Sequence, residues 1–313
     1  MRKTRKVVTL VGLLQAAAML TIVFSFLTAI DIALFGIELF SPFRLQYLAV
    51  SLLLLSAFAI LRNPSYAIAL LVTAVFNASL VLPWYLGDGG NATGTELKLL
   101  NANVLADNDD YSRLLELIAV EQPDVIFLLE FSPEWETATK PLQVDYPYSY
   151  RQPRHDNFGI AMFSRVPLET VTHVDSPPLG YPTIVTAVLL GDRRLTLIGT
   201  HPTVPITQSL YDARNAQLQS LEQLVDTAAG PVVLCGDLNA SVWDHSYKRL
   251  QENTGLRNAR RGFGVLPSWP TFMPFAMIPI DHVMVSEQVQ VVEARTAGRI
   301  GSDHLPLVVT IAL

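Results

Sequence analysis

The sequence predicts an α/β (α+β) architecture: two mixed β-sheets packed face to face with helices outside, preceded by three transmembrane helices. Three observations carry this expectation. Half of the 313 residues are hydrophobic and only 16% are charged, too apolar a balance for a water-soluble domain of this length. The apolar excess lies before residue 87, whereas nearly all acidic side chains follow Thr95. Beyond Thr95, apolar runs that end in polar residues alternate with amphipathic stretches, in two successive copies.

Residues 7–30 (VVTLVGLLQAAAMLTIVFSFLTAI) carry no charge. At about 1.5 Å per residue they suffice to cross a hydrocarbon core of about 30 Å. The basic start MRKTRK also suits a secretory signal, but the apolar run is too long and no A-x-A-like cleavage site follows. Two further apolar runs, 45–61 and 66–86, flank Arg62-Asn63-Pro64-Ser65, the turn of a helical hairpin. Arg2, Lys3, Arg5, Lys6 and Arg62 fall on one side of these spans, and Arg44, with Asp31 and Glu38, on the other. Basic flanks stay cytoplasmic. Three crossings therefore deliver everything after residue 86 to the outer face of the cell (inner) membrane, and one span fewer inverts the result. The lipid bilayer is an expected partner; no obligatory protein partner is evident.

Residues 87–94 (GDGGNATG) hold too few apolar groups for a core and read as a linker to a second domain, 95–313. From Thr95 onward 25 acidic side chains outnumber 16 basic ones, which argues against a broad basic footprint for duplex nucleic acid. A phosphate substrate stays open, because a bound metal reverses the local field. The single cysteine, Cys235 in VVLC, has no disulfide partner within the chain and suits a core position. LKLLNANV reads as a strand, 111–121 as a helix with Leu114, Leu115 and Ile118 on one face, and DVIFLLE as a buried strand ending at a carboxylate. The second copy is LTLIGTHP, a helix over 209–227 with Leu218, Leu221, Leu224 and Val225 inward, and PVVLCGDLN. FGIAMFSR and TIVTAVLL are expected to extend the first half, IDHVMVS and LPLVVTIAL the second. Packing the two halves gathers their strand-end polar groups at one rim.

Those groups form the candidate site. Glu130 follows the apolar run VIFLL, and Asp237 repeats the arrangement in VVLCGDLN with Asn239 two residues on. Asn103 and His201 end the opening strand of each half. Asp281-His282 lies in an apolar strand, and Asp303-His304 just before the last one. A carboxylate beside an imidazole fixes its tautomer and raises its basicity. One polar strand end alone is ordinarily just solvated; repetition in both halves marks a site.

In chain order, NAN, LLE, GIAMFSR, GTH, GDLN, IDHV and SDHLP resemble the endonuclease/exonuclease/phosphatase family over residues 97–313. That family includes pancreatic-type deoxyribonucleases, abasic-site endonucleases, inositol-polyphosphate phosphatases and neutral sphingomyelinases. The resemblance implies a four-layer αββα sandwich and metal-dependent hydrolysis of phosphate esters. It implies Glu130 as the main metal carboxylate, Asn103 and Asp303 beside it, and Asp237 with Asn239 on the attacking water and the phosphate. His201 and Asn239 would hold non-bridging oxygens, and Asp281 would orient His304. His282 stands where other branches place an aromatic residue and suits core packing. Mg²⁺ or Mn²⁺ suits oxygen donors such as Glu130, Asn103, Asp237 and Asp303, whereas zinc favours clustered His or Cys. The expected reaction is in-line attack by water, with either Asp237 or the Asp281–His304 pair as base.

Substrate class is less defined. Residues 257–279 combine Arg257, Arg260 and Arg261 with Trp269, Phe272, Phe275 and Met277. Such a segment stacks a base beside a phosphate, rests on a lipid surface, or packs on the core as an ordinary loop. Trp269 is the expected substrate contact there. Arg214 in YDARNAQL is either a second contact or a surface residue. The expected substrate is thus a phosphate ester of nucleic acid or, as in sphingomyelinases, of a lipid headgroup. A catalytically silent binding or scaffold domain is the contrasting class, and the competent group at every motif position argues against it.

Overall fold

The computed structural model describes residues 9–30, 32–87 and 93–313. The basic N-terminal residues and most of the expected linker lie outside them. The chain divides into two units, Met1–Pro83 and Trp84–Leu313.

The first unit contains α1 (Leu10–Leu27), α2 (Phe35–Glu38), α3 (Arg44–Ile60) and α4 (Pro64–Val81). Thr9 caps α1 by accepting from the Gly12 amide, and Asn63 caps α4 by accepting from Tyr66. Pro64 opens α4, where its missing N–H costs no helical bond. Leu10–Leu27 and Pro64–Tyr85 are long and apolar enough to cross a membrane, whereas α3 is shorter at 17 residues. Two of the three expected spans therefore reach that length among the described residues. Leu10, Leu20, Leu53, Ile60 and Ile68 face outward, while Thr21, Ser25, Ser51, Thr73 and Asn77 are buried. Arg44, expected in a loop outside the spans, instead opens α3 and is buried. Its Nη1 donates 2.6 Å to the carbonyl of Ser25, near the end of α1, where helical carbonyls lack partners and the dipole favours a cation. The interior of this unit mixes those polar groups with Ala18, Leu54, Phe58 and Leu70.

The second unit starts ahead of the expected linker: the Trp84 carbonyl accepts from the amides of Gly262 and Gly264 at 3.0 and 2.8 Å. In chain order it contains β1 (Glu96–Asn103), α5 (Tyr111–Glu121), β2 (Val125–Leu129), α6 (Pro133–Ala138), β3 (Tyr148–Gln152), β4 (Ile160–Ser164), β5 (Thr172–Ser176), β6 (Tyr181–Leu190) and β7 (Arg193–Thr200). Then follow α7 (Gln208–Asp226), β8 (Val232–Asp237), α8 (His245–Thr254), β9 (Arg257–Asn258), β10 (Asp281–Val285), β11 (Gln290–Thr296) and β12 (Leu307–Ala312). One six-stranded sheet has the order β11-β12-β1-β2-β4-β3 and the other β5-β6-β7-β8-β10-β9.

The two orders are equivalent. In each, a central parallel pair, β1–β2 or β7–β8, is flanked by antiparallel strands, β12 and β4 or β6 and β10. The duplicated halves exist, but two strands are exchanged relative to the sequence expectation: TIVTAVLL belongs to the second sheet and LPLVVTIAL to the first. The cause is the two-residue connection Gly191-Asp192, with Leu190 paired to Arg193 and Gly191 at φ +62°. That hairpin commits β6 to β7, and the last strand takes the matching place beside β1.

Successive residues of one strand serve different layers. Leu97, Leu99, Phe127 and Leu129 enter the core between the sheets with Leu197, Val233, Cys235 and Val283. Leu100, Ala102, Ile126 and Leu128 face the other way, onto Leu114, Ile118 and Trp135. The result is an α/β sandwich in which β1, β2, β7 and β8 end, and β10 and β12 begin, at a common rim.

Candidate active site

Asn103 is the last residue of β1, Glu130 follows β2, His201 follows β7, Asp237 ends β8, Asp281 opens β10, and Asp303-His304 precede β12. Glu130 and Asn239 leave their strands with φ of +57° and +48°, a left-handed conformation that costs a residue with a Cβ about 1–3 kcal/mol. Both halves thus turn sharply at the equivalent place and present a side chain at the rim. Gly236 is required just before Asp237, since a Cβ there would lie 2.0 Å from the Thr200 carbonyl oxygen of β7.

Asp237 is the hub. Its Oδ1 accepts from the Asn239 amide at 2.9 Å. Its Oδ2 lies 3.3 Å from Asn103 Nδ2, 3.5 Å from His201 Nε2 and 3.7 Å from His304 Nε2. His304 Nδ1 is 2.8 Å from Asp281 Oδ2. Glu130 accepts from Asn103 Nδ2 at 2.9 Å and from the Ala106 amide at 3.2 Å. Asn239 Nδ2 donates to the Pro202 carbonyl and lies 3.4 Å from His201 Nε2. Asp303 accepts from Trp269 Nε1 at 2.9 Å and approaches His304 Nε2 at 4.0 Å.

Four carboxylates therefore crowd two imidazoles. Burial favours a neutral Asp237, but His304 and His201 outweigh it and hold the carboxyl down at about 2. Burial likewise opposes charge on His304, yet Asp281 and Asp237 raise it from 6.5 to about 10. His201 also moves up, burial being outweighed by Asp237 and Glu130. Asp237, Asp281 and His304 each bring one donor atom within 4.8 Å of the others, but the Asp281–His304 contact is a hydrogen bond that occupies Nδ1. Glu130 and Asp237, both buried and both within reach of the Asn103 amide nitrogen, offer oxygen donors of the kind a hard divalent cation takes. The Asn103 amide nitrogen faces Glu130 and Asp237, and its oxygen accepts from the Leu105 amide at 3.0 Å.

Other expected contacts lie elsewhere. Arg214, expected at the surface or on substrate, is buried, and its Nη1 donates to the Asn239 carbonyl; it supports the turn that carries Asn239. The spacing of Tyr211, Arg214, Leu218 and Leu221 on α7 places Arg214 on the inward face, a signal the sequence reading passed over. Arg260 is fully buried rather than open to a phosphate. With Asn258 it faces His282 Nδ1, at 3.0 and 2.9 Å, while His282 Nε2 donates to the Ala240 carbonyl. His282 is thus a packed, neutral histidine. Phe272 and Phe275 are 69% and 79% exposed. Ser302 and Ser268 were not anticipated: their hydroxyls accept from the amides of His304 and Asp281, bonds that leave no periodic trace.

No curated protein sequence matches the chain. Among solved structures the fold is similar to D. rerio TDP2 complexed with single strand DNA product, at 20% identity, TM-score 0.61, 70% of this chain and 99% of that one. It is similar to the human Nocturnin catalytic domain with bound sulfate anion, at 21% identity, TM-score 0.57, 71% of this chain and 96% of that one. It also matches an endonuclease/exonuclease/phosphatase from Beutenbergia cavernae, at 20% identity, TM-score 0.58, 70% of this chain and 72% of that one. The sequence profile of the Endonuclease/Exonuclease/phosphatase family matches residues 88–304, well over half the chain, and the chain belongs to that family.

Proposed function

We propose that the chain is a membrane-anchored phosphodiesterase that requires Mg²⁺ or Mn²⁺ and uses water as its nucleophile. One observation carries the reading: an ionised Asp237 sits between the Nε2 atoms of His201 and His304, 3.5 and 3.7 Å away, with Asp281 behind His304. Glu130, Asp303 and Asp237 would hold the divalent cation, which would screen the phosphate charge and make water more acidic. Asn239 Nδ2 and His201 Nε2, 3.4 Å apart, converge as donors on a non-bridging oxygen. Asp281 fixes the ring of His304, whose raised affinity for a proton makes it a charged donor at neutral pH. That role for His304 leaves Asp237 to accept the proton of the attacking water. A silent scaffold would have no need of this complete set.

A phosphate-ester substrate agrees with the single strand DNA product in the D. rerio TDP2 structure and the sulfate anion in the Nocturnin structure. A lipid-headgroup diester, as in sphingomyelinase-like hydrolases, is the second reading. It is favoured by the exposed Phe272 and Phe275 on the segment that carries Trp269, and by the apolar outer surface of the first unit. We read that unit as a multi-pass anchor, with α3 as a short third span and the catalytic unit on the outer face. A reporter fused after Leu313 that works only outside the cytoplasm tests this orientation; a silent reporter overturns it.

The substrate test uses the full chain in detergent with bis(p-nitrophenyl) phosphate, p-nitrophenyl phosphate, a single-stranded oligonucleotide and sphingomyelin vesicles. Turnover that needs Mg²⁺ or Mn²⁺ on at least one diester is expected. Absence of metal-dependent turnover on all four leaves only the scaffold reading.

A further inference from the structure

His304 and His201 flank the same carboxylate but are held by different means. His304 has Asp281 on its Nδ1, whereas His201 Nδ1 is buried without a hydrogen-bond partner among the described residues. The His201 ring lies against Phe158 instead, centroids 5.3 Å apart at 38°. Phe158 stacks on Tyr181 at 3.6 Å and 8°, and the Arg154 guanidinium sits 5.9 Å from the Tyr181 centroid. Phe158 thus links the His201 ring to the Tyr181 ring.

The segment bearing Phe158 joins the two sheets' contributions to the site. Arg154 holds Asp156 through two bonds of 2.8 and 2.6 Å, and Asp156 Oδ1 also accepts from the Phe158 amide at 3.0 Å. Phe131, next to Glu130, donates its amide to Gly159 and accepts from the Arg154 amide, both at 3.0 Å. A Cβ on Gly159 would lie 2.0 Å from the Phe131 carbonyl oxygen, so the strap seats tightly on the Glu130 turn.

We infer that Phe158 is a positioning residue for His201, and that residues 154–159 set the angle of its imidazole relative to Glu130 and Asp237. The inference rests on the proposed role of His201 as a phosphate contact. A hydrogen bond to Nδ1 would fix the ring through one atom; an aromatic neighbour fixes its plane and leaves Nε2 free to meet the phosphate.

Phe158→Leu in the full chain keeps an apolar side chain and removes the flat ring. With the melting temperature little changed, kcat on bis(p-nitrophenyl) phosphate is expected to fall about tenfold or more while KM stays within about threefold. In a His201→Gln background the same change is expected to cost nothing further. Full activity of Phe158→Leu, or additive losses in the double variant, overturns the inference. A second readout needs no turnover: the His201 Cε1–H signal of histidine-labelled chain, identified by its loss in His201→Gln, should move in Phe158→Leu while that of His304 stays. An unmoved His201 signal overturns the positioning role, whereas a moved signal without catalysis removes only the phosphodiesterase reading. Phe158→Met gives the same comparison should the leucine variant unfold.

Discussion

Asp281-His282 and Asp303-His304 are the same dipeptide in opposite circumstances. The first opens β10, so the strand's alternation sends Asp281 to the rim and His282 into a pocket of Asn258, Arg260 and the Ala240 carbonyl. The second lies in the loop before β12, free of that alternation, and both its side chains reach the site. Burial and the Arg260 charge push His282 down to about 3, whereas carboxylates around His304 push it up to about 10. Backbone geometry, not residue type, decides which histidine reaches the rim and which one packs. The carboxylate–imidazole pair is formed between the dipeptides, Asp281 with His304.

The largest effect should separate the two histidines. His304→Ala is expected to lower kcat by about 10²–10⁴. His282→Ala strands the buried Arg260 and Asn258 donors and should cost about 1–3 kcal/mol in denaturant unfolding. Equal losses of activity and of stability in the two variants would break the comparison. Next in size, Asp281→Asn should cost about ten- to a hundredfold in kcat by releasing the ring, while Asp303→Asn should chiefly raise the Mg²⁺ concentration needed for half-maximal rate. If Asp303→Asn proves the more damaging to kcat, the pairing has been misassigned.

The last contrast is in stability against pH. Between pH 6.5 and 10 the folded His304 keeps a proton that the unfolded chain releases, so its stabilisation is full below 6.5 and fades as pH rises through 10. Between pH 3 and 6.5 the unfolded His282 takes up a proton that the fold excludes, so that contribution is full above 6.5 and fades as pH falls through 3. His304→Gln should flatten the alkaline limb of a pH series of unfolding curves, and His282→Asn the acid limb. The reverse assignment contradicts both environments.

Much of the site was legible because a buried strand must be apolar until it ends, so Glu130 after VIFLL and Asp237 in VVLCGDLN announce the rim. Helical periodicity put α5 at its observed bounds and α7 within a residue of them. The exchange of β6 and β12 depended on a hairpin turn and on pairing between distant segments, which a local pattern does not encode. β3 and β5 escaped notice because YSYRQ and THVDS are edge strands, the first half-buried and the second largely exposed, without an apolar stripe. Arg214, Arg260 and Arg44 carry charges that composition assigns to the surface, yet each is buried with backbone or side-chain acceptors around it. The strap through Phe158 had no signature beyond an aromatic beside a glycine.

The most direct measurement compares wild type and Asp237→Asn in hydrolysis of bis(p-nitrophenyl) phosphate, with Mg²⁺, with EDTA, and after Mg²⁺ is restored. EDTA is expected to abolish wild-type turnover and Mg²⁺ to recover it, while Asp237→Asn, folded by circular dichroism, stays at least about a hundredfold slower throughout. Turnover that persists in EDTA, or an Asp237→Asn variant as fast as wild type, would contradict that expectation.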